Sequence, residues 1–220
     1  GTHIAGIVAG RDVGVARRAQ IHSVKVLDKD NSGMLSWAIA GLSYVARNRI
    51  NATSAARTGP STTAGRPAIV NFSINAPTSK LLDEAIAAME KYNVLVVASA
   101  GNGASDACQL SVGSGRHGLI VGATTKVDTL ASFSNYGMCV DILAPGSNIR
   151  SASLDGGYEE QSGTSMSAPF VAGVAALFLS EKHYATVEEL RDAILNRATT
   201  LGADSIAAPN TTHLLVHANP

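Results

Sequence analysis

Charge is scarce in this chain. Only 15% of its 220 residues are Asp, Glu, Lys or Arg, where about a quarter is usual in soluble domains. The 17 basic and 17 acidic residues cancel, and no block of like sign occurs. Nothing in that balance calls for nucleic acid or an anionic membrane surface as a partner. Long apolar runs are missing too: none approaches the roughly 20 residues that a bilayer-spanning helix takes. There is no internal repeat and no interdomain linker. Cysteine is limited to Cys108 and Cys139, which leaves either one bridge or two buried thiols.

What is present is small and apolar. Hydrophobic residues make up 45% of the chain and glycine contributes 21 positions. With many Ala and Ser, this composition points to closely packed helices and tight turns. The length suits one domain, spanning 1–220, with a substantial core.

Strand-length apolar runs alternate with helical patterns. Ile21 to Leu27, Ala68 to Ile74, Val94 to Ala100, Leu119 to Ala123 and Val140 to Ala144 read as strands. The third is apolar on successive residues, as expected where both faces are covered. Met34 to Arg49 and Ser79 to Tyr92 carry helical spacing, and Thr186-Val187-Glu188-Glu189 reads as a capping box opening a helix to about Arg197. Asn51 to Arg66, rich in Ala, Thr, Ser and Gly without a period, reads as an exposed loop. The alternation predicts an α/β fold with a mainly parallel sheet and helices on both faces. Asn51-Ala52-Thr53 and Asn210-Thr211-Thr212 are sequons suited to glycosylation in a secreted protein. A third, Asn71-Phe72-Ser73, falls in a core strand.

The string Ser162-Gly163-Thr164-Ser165-Met166-Ser167-Ala168-Pro169, followed by an apolar run to Leu179, places one hydroxyl where a Gly turn enters a buried helix. N–H groups in a first helical turn lack intrahelical partners and carry partial positive charge. A serine there has donors at hand for an oxyanion forming beside its Oγ. Pro169 is expected within that first turn. The plainer alternative is a serine N-cap.

This segment resembles the nucleophile segment of the subtilisin-like serine proteases, the subtilases, and the likeness runs along nearly the whole chain. Gly1-Thr2-His3-Ile4-Ala5-Gly6 is similar to the family's His-Gly-Thr-His-Val-Ala-Gly segment without its first letter. Val24-Lys25-Val26-Leu27-Asp28 resembles the strand before the substrate-binding segment, and Ala98-Ser99-Ala100-Gly101-Asn102 resembles the oxyanion-hole segment. Ser132-Phe133-Ser134-Asn135-Tyr136-Gly137, Leu143-Ala144-Pro145-Gly146 and the tail Thr212-His213-Leu214-Leu215-Val216 resemble the proteinase K-like branch.

The resemblance implies a three-layer fold and peptide-bond hydrolysis through an acyl-enzyme on Ser165, with Asn102 donating to the oxyanion. The family's chain order is Asp, His, Ser, and its catalytic histidine would fall just before Gly1. His3 matches a structural histidine; His22, His117, His183, His213 and His217 fall in no matching segment. The chain therefore reads as the C-terminal three-quarters of a catalytic domain, lacking its N-terminal strand and Asp/His segment. As given it is expected to be inactive alone and aggregation-prone.

Substrate-binding positions implied by the match are Asn31, Ser32 and Gly33 on one side of the peptide and Ser73, Ile74 and Asn75 on the other. Ser99, Ala100 and Gly101 would line the first specificity pocket. Asn31 and Asn75 stand where the family has glycine, and Asn tolerates φ > 0 better than most residues. Phe170 replaces a usual histidine outside the triad. The likeness also implies a Cys108–Cys139 disulfide, hence a secreted or vacuolar/lumenal compartment. No cofactor is needed for the chemistry. A structural calcium is implied at Asp141 with the carbonyls of Arg116 and Gly118, against a solvated or salt-bridged Asp. The partners expected are a polypeptide substrate and, for the full-length parent, an inhibitory propeptide, with the protein a monomer. A non-catalytic, peptide-binding subtilase relative and an anion-binding α/β module are the competing readings.

Overall fold

A computed structural model describes residues 1–56 and 66–219, with backbone only over 51–56. At its centre lies a six-stranded sheet. Its strands are β1 (Ala68–Phe72), β2 (Val94–Ser99), β3 (Leu119–Thr124), β4 (Ile142–Pro145), β7 (Thr199–Thr200) and β8 (Leu214–Leu215). Their order is β1-β2-β3-β4-β8-β7. All pairs are parallel except β7 with β8. A separate antiparallel hairpin joins β5 (Ile149–Ala152) to β6 (Tyr158–Gln161).

Every residue of β2 and β3 is buried, and their side chains divide by parity between two cores. Val94, Val96 and Ala98 join Leu42 of α2 (Leu35–Ala56) and Leu82, Ile86 and Met89 of α3 (Lys80–Lys91) on one face. Leu95, Val97 and Val121 meet Val8 of α1 (Thr2–Ala9), the body of α5 (Thr164–Glu181), and Leu190 and Ile194 of α6 (Val187–Arg197) on the other. A short α4 (Ser111–Gly115) packs beside α3. The helix–sheet–helix layering is the one expected. Helix α5 reaches bilayer-spanning length and apolarity, but most of it is buried in this core.

Three local expectations are corrected. Ile21 to Leu27 forms no strand: a strand needs a ladder partner, and β1, the end strand of the sheet, pairs only with β2 among the described residues. The segment lies along α2 instead, where a Cβ at Gly41 would sit 2.6 Å from Val26 Cγ1. Secondly, α2 continues through Ala56, because Ala52, Ala55 and Ala56 favour helix whatever their periodicity. The remainder of the expected loop, 57–65, and the side chain of Asn51 lie outside the described residues. Thirdly, the capping box closes one residue early. Thr186 Oγ1 accepts from Glu189 N–H (3.2 Å), but Glu189 Oε2 accepts from Ala185 N–H (2.8 Å) rather than from Thr186.

Candidate active site

The first turn of α5 is organised by residues from two other segments. Gly163 is its N-cap, at φ 152° and ψ 160°, a combination essentially reserved for glycine. Ser165 is thus the second helical residue rather than the cap, and its N–H has no intrahelical carbonyl to reach. Its side chain is half-buried, and its hydroxyl forms no hydrogen bond among the described residues.

Asn102 does the capping from the loop after β2. Its Oδ1 accepts the Thr164 N–H at 2.8 Å and the Thr164 Oγ1 hydroxyl at 2.8 Å. A backbone N–H can bond only to the oxygen of a carboxamide, so Nδ2 is fixed as the outward end. A Cβ at Gly163 would lie 3.3 Å from that nitrogen. Thr164 is fully buried, and its Oγ1 also accepts from Gly101 N–H at 3.1 Å. The residue before Ser165 is therefore bonded to both Gly101 and Asn102, and the helix N-terminus directs its partial positive charge to the same place.

Pro169 sits in the second turn of α5, not the first. Lacking an N–H, it leaves the Ser165 carbonyl without its helical donor. Ser73 Oγ supplies the missing bond at 3.0 Å and is itself held by Asn71 Nδ2 at 2.9 Å. The chain just beyond β1 is thereby tied to the backbone of Ser165, and the Asn71 amide of the third sequon is committed to that link.

Ile74 follows, half-buried, and Asn75 is exposed. Ser99 Oγ donates to Asn75 Oδ1 at 3.2 Å. Asn31 adopts φ 56°, the left-handed conformation expected of a glycine replacement, whereas Asn75 has no positive φ. Asn31, Ser32 and Gly33 are exposed, on a turn closed by Asp28 Oδ1 accepting from the N–H groups of Asp30 (2.9 Å) and Ser32 (3.0 Å). No described hydrogen bond joins that turn to Ser165. Ser99 and Ala100 are each 2% exposed, and the Ala100 methyl belongs to the core. As a pocket wall these two would offer backbone rather than side chain.

His3 is buried, with Nε2 between the carbonyls of Ile149 (3.0 Å) and Glu159 (3.2 Å). It staples α1 to the β5–β6 hairpin. No histidine bonds Ser165 among the described residues. Phe170 packs half-buried against the α5 core.

The cysteines are bridged, Cys108 to Cys139, with Cα atoms 5.3 Å apart. Asp141 does not fit a calcium site. Its Oδ2 accepts from Ile120 N–H (2.8 Å), and Arg191 NH2 stands 2.7 Å from Oδ1. A guanidinium in that position repels a second cation, and one carboxylate is a poor start for an ion taking 6–8 oxygens. Arg116 (φ 52°) and Gly118 (φ 82°) form the turn into β3, and among the described residues no group of three or more His, Cys, Asp or Glu side chains could hold a metal ion.

Sequence reasoning missed Thr164, Asn71, Asn135 and Arg191. The first three lie in or beside the family-like segments. Arg191 carried no local signal, because its partner is 50 positions away.

Comparisons with known proteins identify the family. The Subtilase family, peptidase S8, matches residues 1–212. Alkaline serine exoprotease A of Vibrio alginolyticus is 40% identical over 91% of this chain and 35% of its own length. The extracellular serine proteinase of Thermus sp. (strain Rt41A) is 40% identical over 90% and 45%, and proteinase T of Parengyodontium album 40% over 81% and 58%. The chain thus spans roughly a third to three-fifths of these curated relatives. The crystal structure of a cold adapted subtilisin-like serine proteinase superposes with a TM-score of 0.87 at 38% identity, covering 100% of this chain and 74% of that one. On fold and on sequence together, the chain belongs to the subtilase family of serine proteases.

Proposed function

We propose that this chain carries the nucleophile and oxyanion donors of a secreted serine endopeptidase, with Ser165 as nucleophile and Asn102 as oxyanion donor. The observation that supports this most is the bond pair from Thr164 to Asn102 Oδ1. It leaves a carboxamide N–H₂ facing outward beside the first turn that carries Ser165. Acyl transfer needs a nucleophile, a base and preorganised donors where negative charge develops. Ser165 Oγ attacks the scissile carbonyl as its proton passes to a base, and Asn102 Nδ2 and the Ser165 N–H receive the oxyanion. The intermediate collapses to the ester as the C–N bond breaks and the base returns its proton to the departing amine. Water then cleaves the ester, and the serine is regenerated.

The base is supplied by residues outside this chain, so the chain by itself hydrolyses little or nothing. In subtilisin, another member of the family, losing the serine or the histidine alone costs about 2 × 10⁶ in kcat. The substrate is an extended polypeptide running along Ser73–Asn75 on one side and Asn31–Gly33 on the other, paired as an added strand. The disulfide and the extracellular relative from Thermus support secretion, with the domain a monomer matured from a propeptide form. No cofactor takes part in the chemistry.

A fluorophosphonate probe tests the assignment. The chain alone is expected to stay unlabelled. The protein carrying its upstream segment is expected to be labelled, and Ser165→Ala to abolish the label. An upstream-complete protein that binds peptides yet takes no label would instead be a non-catalytic peptide-binding relative.

A further inference from the structure

One buried polar side chain brackets Asn102 from beneath and is not explained by packing. Asn135, in the turn between β3 and β4, is 2% exposed. Its Nδ2 donates to the Ala100 carbonyl at 2.9 Å, and its own N–H donates to the Gly101 carbonyl at 2.9 Å. Its Oδ1 accepts from Gly103 N–H (2.9 Å), Ser105 N–H (3.1 Å) and Ser105 Oγ (3.2 Å). The contacts fall on residues 100 and 101 before Asn102 and on 103 and 105 after it.

That pattern allows one orientation of the carboxamide: two backbone N–H groups need the oxygen, and one carbonyl needs the nitrogen. Space enforces it too. Gly101 sits at φ 104°, and a Cβ there would overlap the Asn135 amide nitrogen. The loop is therefore moulded around this side chain. The disulfide anchors the same two segments further along, as do Tyr136 N–H to the Ser105 carbonyl (3.0 Å) and Ala107 N–H to the Tyr136 carbonyl (2.9 Å).

We infer that Asn135 is a positioning residue for the reaction proposed above, setting the backbone of the 100–105 loop so that the Asn102 amide meets the developing oxyanion. The inference rests on that reading. Oxyanion stabilisation depends on donors held in place before charge develops, and a functional group displaced by about 0.5 Å already loses productive geometry. Thr164 fixes which way the Asn102 carboxamide faces; Asn135 fixes where its backbone stands. Neither needs to touch substrate.

The test uses the upstream-complete protein and two variants. Asn135→Asp keeps the acceptor for Gly103 and Ser105 but sets an oxygen against the Ala100 carbonyl. Asn135→Ser is smaller, lowers the folding demand and serves if the first does not fold. The expected result is a kcat reduced about 10- to 100-fold with KM within about threefold, below the 10²–10³ that the oxyanion asparagine itself is worth in subtilisin. In an Asn102→Leu background the same Asn135 change is expected to cost less than about twofold, since positioning a missing donor gains nothing. Full additivity in that background, or an unchanged kcat in a folded Asn135 variant, overturns the inference while leaving the protease assignment intact. An inactive, unlabelled upstream-complete wild-type protein overturns both.

Discussion

Replacing Thr164 by Val separates the candidate site from ordinary packing. Thr164 is fully buried, and Val has nearly its shape, so the change removes one hydroxyl and little else. That hydroxyl joins Gly101 N–H (3.1 Å) to Asn102 Oδ1 (2.8 Å). Orphaning a buried N–H costs about 1–3 kcal/mol, and the methyl that replaces the hydroxyl returns about 0.8 kcal/mol. The net loss is about 0.2–2.2 kcal/mol, read as a fall of at most about 9 °C in Tm for a domain of this size. Asn102 keeps only the Thr164 N–H as its anchor, so the fluorophosphonate labelling rate of the upstream-complete protein should fall about tenfold, or 1.4 kcal/mol in barrier. Thr164→Ser restores the hydroxyl without the methyl and should label within about threefold of wild type, for a stability cost of about 0.8 kcal/mol. The reasoning fails if the Val variant labels at the wild-type rate, or if the Ser variant slows as much as Val.

Three further outcomes follow from the same geometry. Asn75→Gly removes the carboxamide held by Ser99 and should raise kcat/KM for substrates with a bulky residue before the scissile bond, relative to alanine, by about tenfold; equal ratios would show that Asn75 does not shape specificity. The bridge closes a span of 31 positions, so a Cys108→Ser/Cys139→Ser double variant should lose about 3–4 kcal/mol and about 10 °C in Tm, and a loss under about 2 °C contradicts the loop-closure argument. Calcium at saturating concentration should leave Tm unchanged, because Arg191 already neutralises Asp141. A rise of about 5–10 °C, the scale of a ligand at 100 times its Kd, would mean the ion displaces the guanidinium.

Much of the fold was legible because burial on both faces writes itself into consecutive residues. Val94 to Ala98 and Leu119 to Ala123 carry no polar side chain, and both lie in central strands. Ile21 to Leu27 is short, β-branched and bounded by turns, but it has no ladder partner among the described residues, and strand formation is a property of pairs. Ser165 and Asn102 became candidates through the family likeness of their local strings, each beside a glycine turn, Gly163 and Gly101. What holds them was not legible there. Thr164, Asn135 and Ser73 act through hydrogen bonds spanning 62, 35 and 92 positions, and Ser, Thr and Asn at turns are too common for such partners to be named from sequence. Pro169 shows the same limit: its local reading as a first-turn proline missed that it releases the Ser165 carbonyl for Ser73. Asp141 matched a calcium ligand by position, and only the packing of α6 revealed the arginine beside it.

A crystal structure of the upstream-complete protein with a peptide boronate bears on the central claim most directly. The account predicts a covalent bond from boron to Ser165 Oγ and one boronate oxygen about 2.7–3.1 Å from Asn102 Nδ2. An adduct on another residue, or an Asn102 amide turned away from the boronate oxygens, contradicts it.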